Sequence, residues 1–145
     1  MTEELPDLAA MAALGARIAS RLKVGDVVAL AGPLGAGKTT LARAIIAGCG
    51  HGGEVPSPTF TIIEAYRDCT PPVVHADFYR LDDPVEATEL GLADYRQGAA
   101  LIAEWPERAG GFQHEAGCLA IALDIRAEGR RAIVQPGAAW LGRWP

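Results

Sequence analysis

Residues Gly32-Pro33-Leu34-Gly35-Ala36-Gly37-Lys38-Thr39-Thr40 put three glycines, an ammonium group and two hydroxyls into one short stretch. From Gly32 to Thr39 the spacing is Gly-x-x-x-x-Gly-Lys-Thr, the pattern of a phosphate-binding loop. A polyphosphate is an extended anion, and backbone N–H groups wrap it best. Gly35 and Gly37 permit close approach of the chain and positive φ. Lys38 supplies a mobile charge for the β- and γ-phosphates, and the Thr39 hydroxyl can bind Mg²⁺. Pro33 brings no N–H, but it stands early in the loop.

A phosphate loop alone binds a nucleotide. Hydrolysis or transfer also needs acids near the metal and the attacking group. Asp77 ends the apolar run VVHA and Glu104 ends ALIA. Both are placed at the carboxyl ends of strands, where α/β sheets bind ligands. Either acid could hold Mg²⁺, directly or through water, and either could orient the attacking water. Spacing leaves that assignment open. Ser57-Pro58-Thr59 occupies the place of a switch loop, where Thr59 could sense the γ-phosphate or complete the metal shell. On spacing alone, ordinary turn chemistry is the simpler reading of those three residues. His75 shares a strand face with Asp77 and reads as a hydrogen-bonded strand residue. His51 and His114 fall in loops and receive no role. Arg80 could reach a phosphate, although Asp82, Asp83 and Glu86 offer nearer surface partners. Trp105 could stack on a base or a partner, or simply pack at the rim of the core.

The elements that position these groups follow from the periodicity. VGDVVAL, residues 24–30, is a short β-branched run that reads as a buried strand, and 40–48 has helical spacing. Strand, glycine loop and helix thus follow in the order the motif requires. Upstream, Leu8, Met11, Leu14, Ile18 and Leu22 form one apolar stripe, predicting a helix over about 7–23 capped by Asp7. Downstream, Gly48, Gly50, Gly52 and Gly53 end the second helix. Strands are expected over 59–66 and 73–79, joined by a turn at 68–72 and hence antiparallel. A helix is expected over 84–90, with Asp82 or Asp83 as cap and Pro84 in its first turn. A buried strand is expected over 99–104, and two last strands over 119–125 and 131–135, joined by the polar AEGR turn. The expected architecture is a single α/β domain over 1–145 with a partly antiparallel sheet.

Composition narrows the function. The chain has 145 residues, half of them hydrophobic, enough for a sizeable core. Its formal charge is −5, from 13 basic and 18 acidic residues. That argues against a large nucleic-acid footprint on this chain alone. Only two lysines occur, Lys23 and Lys38, and one lies in the phosphate loop. No apolar run reaches the ~18 residues of a membrane helix, and the acidic N-terminus lacks the pattern of a signal peptide. Cys49, Cys69 and Cys118 have neither disulfide-framework nor zinc spacing, which suits a reduced, cytoplasmic compartment.

Taken together, GPLGAGKTT, SPTFTIIEAY, HADFYRL, ELGLADY and LIAEWPER resemble the TsaE (YjeE) family of bacterial ATPases, which take part in making threonylcarbamoyladenosine on tRNA. The likeness spans about residues 24–108. HxDxYRL followed at this distance by EWP is far more specific than the phosphate loop alone. The chain departs from the frequent GDLGAGKTT at Pro33. The resemblance implies a P-loop NTPase fold, a three-layer α/β/α sandwich with a mixed central sheet. It implies ATP bound across Gly32, Leu34, Gly35, Ala36, Gly37, Lys38, Thr39 and Thr40, with Trp105 beside the site. Thr39, Thr59, Asp77 and Glu104 would serve Mg²⁺ and the γ-phosphate, and Lys38, Thr59, Asp77 and Glu104 the chemistry. It further implies partners, the proteins TsaD and TsaB, modification at adenosine 37 with tRNA met through the complex, and ATP hydrolysis that is weak without them. Two rival readings of the motifs stand beside it. A small P-loop kinase would need an acceptor pocket and usually an arginine-bearing lid, and no Arg-rich insertion of lid length occurs. A nucleotide-controlled binding module without useful turnover would carry the same loop.

Overall fold

The computed structural model describes residues 1–56 and 62–144. Strands β1 (Thr2–Leu5), β2 (Val27–Ala31), β3 (Ile63–Tyr66), β4 (Val73–Asp77), β5 (Ala100–Glu104), β6 (Cys118–Ile125) and β7 (Arg130–Pro136) form one sheet in the order β1-β7-β6-β2-β5-β4-β3. The four middle strands β6, β2, β5 and β4 run parallel. Antiparallel pairs β6–β7, β7–β1 and β4–β3 extend it on both sides. The middle strands read as continuous apolar runs because both of their faces are covered. Every residue of β5 is buried, as are the first four of β2 and of β4.

One face is covered by α1 (Leu8–Arg21) and α2 (Lys38–Gly48). The Asp7 carboxylate accepts the Ala10 N–H at 2.8 Å and so caps α1. The stripe Met11, Leu14 and Ile18 meets Val28 and Leu30 of β2 and Ile121 of β6 in one core. At Gly15 the two helices nearly touch, since a Cβ there would lie 2.4 Å from the Ala44 Cβ. The other face has a thinner cover, made by α3 (Val85–Glu89), α4 (Leu92–Arg96) and the 3₁₀ turn Pro106–Ala109. Ala87, Leu92, Phe78 and Phe112 pack there on Ala29, Leu101 and Ala103. These three layers match the expected sandwich.

Differences from the sequence reading are local. α2 begins at Lys38 and not at 40, because Gly37 takes the left-handed conformation at its N-cap. The strand expected over 73–79 ends at Asp77, where the Phe78 N–H turns to the Glu104 carbonyl. The N-terminus forms β1, a strand with no apolar alternation of its own. Pairing with β7 and an ion pair from Arg17 of α1 to Glu3 hold it. Residues 92–96 form α4, a single turn too short for a periodic signal.

The tail fixes the start of β2. The guanidinium nitrogens Nη1 and Nη2 of Arg143 each lie 2.7 Å from the Asp26 carboxylate. The same guanidinium sits 4.2 Å over the ring of the buried Trp140. A buried carboxylate is tolerated when it is paired and fully bonded in this way.

Candidate functional site

The phosphate loop leaves β2 at its carboxyl end and returns into α2. Two of its glycines are required by geometry. Gly32 has φ +142°, and a Cβ there would meet the Leu123 carbonyl oxygen at 2.5 Å. Gly37 has φ +105°, and a Cβ would meet the Met11 methyl at 2.8 Å. Lys38, Thr39 and Thr40 then open an eleven-residue helix, whose first N–H groups have no partner within the helix.

Three strand ends converge on that loop. β5 lies between β2 and β4, so Glu104 is level with Leu30 on one side and with Asp77 on the other. The Thr39 hydroxyl donates to Glu104 Oε1 at 2.8 Å. Glu104 Oε2 lies 2.6 Å from His75 Nε2 on β4. Glu104 is only 2% exposed, and each of its two oxygens has one of these partners. Asp77 is partly buried, and its Oδ1 accepts the Tyr79 N–H at 3.0 Å. Burial raises the Asp77 carboxyl above its ordinary value, with the Glu104 charge adding to the shift; the Tyr79 N–H, His75 and Lys38 oppose it.

Lys38 reaches across the loop. Its ammonium donates to the carbonyls of Gly32 at 2.7 Å and Pro33 at 2.8 Å. It also lies 4.5 Å from the centroid of the Trp105 ring, a cation–π contact. Burial lowers the Lys38 ammonium below its usual value, and Glu104, Asp77 and Glu107 partly restore it. Trp105 holds this place through a left-handed backbone, φ 55° and ψ 50°, just after β5. For a bulky residue that conformation is strained, and such strain clusters at functional sites. Tyr79 packs against Trp105 at 4.9 Å, and the Arg108 guanidinium lies 4.9 Å over Tyr79.

These groups enclose a cleft of about 300 Å³ lined by Leu34, Gly35, Lys38, Thr39, Asp77, Tyr79, Arg80, Glu104 and Trp105. A second cleft of about 250 Å³ lies across the loop, lined by Leu8, Met11, Gly35, Gly37, Thr40 and Arg130 among others. Arg130 donates to the Gly35 carbonyl at 3.1 Å and so touches the phosphate loop directly. A larger groove of about 550 Å³ opens on the thinly covered face near Ala31, Ala122 and Phe112. No lysine or arginine is among its lining residues.

The sequence-derived residues gather accordingly. Lys38, Thr39, Asp77, Glu104 and Trp105 share the first cleft with Leu34 and Gly35. Gly37 and Thr40 line the second, while Ala36 is buried beneath the loop. Thr59 lies outside the described residues, as does the rest of 57–61. Sequence reasoning passed over Arg130, Tyr79 and Arg108, and it gave His75 no task. The one available signal was the His75–Asp77 spacing on a single strand face.

The donor set suits a hard cation. Two carboxylates face the same cleft as a site for phosphate anions, and a hydroxyl and a carboxylate oxygen are 2.8 Å apart beside them. Mg²⁺ is commonly held by one or two carboxylates together with substrate phosphates and waters. Among the described residues no cluster of three His, Cys, Asp or Glu side chains could hold a metal by itself.

Comparison with known proteins places the chain in a family. The family model for "Threonylcarbamoyl adenosine biosynthesis protein TsaE" matches residues 5–133. A tRNA threonylcarbamoyladenosine biosynthesis protein TsaE from Haemophilus influenzae is 38% identical over 125 residues, covering 82% of this chain and 79% of the relative. Its counterpart in Synechocystis is 42% identical over 109 residues, covering 72% and 69%. Among solved structures, that of Bacillus subtilis YdiB superposes with a TM-score of 0.72 at 28% identity, covering 92% of this chain and 82% of that one. With a P-loop opening into a mixed sheet and a family match over nearly its whole length, this chain belongs to the TsaE family.

Proposed function

We propose that this chain, a single domain over residues 1–145, is the Mg²⁺-dependent ATP-hydrolysing subunit of tRNA threonylcarbamoyladenosine synthesis. It would act on adenosine 37 with TsaD and TsaB, in the cytoplasm, and meet tRNA through those partners. The observation that carries the ATPase reading is the Thr39–Glu104 hydrogen bond within the cleft that also holds Lys38 and Asp77. Family membership supports the pathway. The absence, among the described residues, of any helix able to cross a membrane agrees with the location.

The loop amides and the N-terminus of α2 bind the phosphate chain. Lys38 exchanges its carbonyl partners at Gly32 and Pro33 for phosphate oxygens and carries positive charge to the transferred group. Thr39 and Glu104 are the pair that would hold Mg²⁺, because the Thr39 proton is already directed to Glu104 and its oxygen lone pairs remain for a ligand. Mg²⁺ held there would supply positive charge to the phosphoryl oxygens and to the two carboxylates. That leaves Asp77 to orient the attacking water. Its raised basicity suits a proton acceptor. Thr59 would report loss of the γ-phosphate to a partner. The nucleoside end belongs in the second cleft, where Leu8 and Met11 offer apolar walls and Arg130 a charge.

The test is calorimetric titration with Mg–ATP and phosphate release with and without TsaD and TsaB. We expect heat of binding from the parent, none from K38A, and release stimulated by the partners. A K38A protein that binds as the parent does, or release unaffected by both partners and E104Q, would overturn the reading.

A further inference from the structure

His75 is fully buried in β4, within the otherwise apolar stretch Val73, Val74 and Ala76. A polar ring in such a run costs desolvation unless a partner compensates it. It has one partner. Nε2 lies 2.6 Å from Glu104 Oε2, while Nδ1 is buried with no partner among the described residues. Hydrogen-bond arithmetic therefore assigns the ring proton to Nε2, since a proton on Nδ1 would be stranded. Glu104 in turn is a buried carboxylate with one oxygen given to Thr39 and the other to His75.

We infer that His75 is a positioning residue, whose Nε2–H fixes Glu104 Oε2 so that Oε1 stays aligned on the Thr39 hydroxyl. The inference rests on the ATPase reading for its consequence and on geometry for its substance. A glutamate side chain has three rotatable bonds, and a single hydrogen bond leaves its carboxylate free to swing. The second anchor comes from β4, the strand that also carries Asp77. One rigid strand thus sets both acids, Asp77 through the backbone and Glu104 through the imidazole. Serine or threonine at position 75 would be too short to reach Glu104. Lysine or arginine would add a second buried charge.

Two measurements decide it. In the nucleotide-free protein, long-range ¹H–¹⁵N correlation is expected to show His75 as the Nε2–H tautomer with an exchange-protected proton, and E104A is expected to lose that protection. An Nδ1–H tautomer, or a freely exchanging proton, would overturn the inference whether or not ATP is hydrolysed. In phosphate release, H75L is expected to lower kcat and raise the Mg²⁺ concentration needed for half-maximal rate by roughly 10–100-fold, as removing an outer-shell partner does. KM for ATP should stay within about twofold, because the phosphate cradle is untouched. H75Q, whose amide nitrogen can stand where Nε2 stands, should recover most of the loss. H75L with parental kcat and Mg²⁺ dependence would overturn the inference. If H75L does not fold, H75Q and the tautomer decide it alone, and an H75Q protein that folds but shows no recovered activity counts against it. A parent protein that releases no phosphate would sink the ATPase reading, and the tautomer would still report on His75.

Discussion

Replacing Glu104 in two different ways separates its structural from its functional role. In E104Q the new amide oxygen can accept from His75 Nε2, and its NH₂ group can donate to Thr39, whose hydroxyl rotates to accept. Both contacts, now 2.6 and 2.8 Å long, survive, with only the Thr39 contact reversed, and a buried charge disappears. The net cost should be under about 1 kcal/mol. In E104A the same two donors lose their acceptor inside the protein. His75 is fully buried, and a buried donor left unsatisfied costs about 1–3 kcal/mol, whereas the part-buried Thr39 hydroxyl lines the cleft and can turn to water. For a domain of 145 residues, size scaling gives about 3–4 °C of melting temperature per kcal/mol. E104A should therefore melt roughly 3–12 °C below the parent, and E104Q within about 4 °C of it. Both should lose phosphate release by on the order of 100-fold, E104Q because Thr39 is turned from donor to acceptor and the anionic oxygen is gone. Urea denaturation and thermal melting read the first quantity, and a phosphate-release assay reads the second. Equal stability of E104A and E104Q would refute the two-donor network. An E104Q protein with parental turnover would refute the role of the carboxylate.

Asp77→Asn should abolish stimulated phosphate release yet raise the melting temperature at neutral pH, because it removes a carboxylate whose ionised form is penalised by burial. The pH dependence has a definite sign. A carboxyl with a raised value in the folded state destabilises the protein when ionised. The parent should thus lose stability relative to D77N as pH rises from the ordinary carboxylate value through the raised one, and stay level above it. Melting curves from pH 4 upward check this, and a difference that does not vary with pH would refute it. Gly32→Ala should cost about 1–3 kcal/mol from its left-handed backbone alone. The added clash with the Leu123 carbonyl at 2.5 Å should displace the loop and abolish Mg–ATP binding by calorimetry. Full binding by G32A would show that the loop tolerates a Cβ there.

Several parts of this molecule are written locally. The helix stripe from Met11 to Leu22, the apolar runs of β2, β4 and β5, and the glycine spacing from Gly32 to Gly37 each record a short-range requirement. Period, turn chemistry and capping act within a few residues, so they survive in a one-dimensional string. β1 and α4 were not legible for the complementary reason. β1 is held by β7 and by Arg17, and α4 by Leu92 packing under the sheet, so neither needs a strong pattern of its own.

By itself the sequence determined that a phosphate loop joins a buried strand to a helix, and that two acids close later strands. It left Asp77 and Glu104 interchangeable, and it gave His75 no partner. Only the tertiary structure gives the two acids different surroundings and His75 a partner. Insertion of β5 between β2 and β4 brings Glu104 onto Thr39, 65 residues away in sequence, and onto His75, 29 residues away. Which strands become neighbours depends on how both sheet faces are covered, by α1 and α2 on one side and by the short helices on the other. No residue encodes that choice locally, because it is a property of the packed whole.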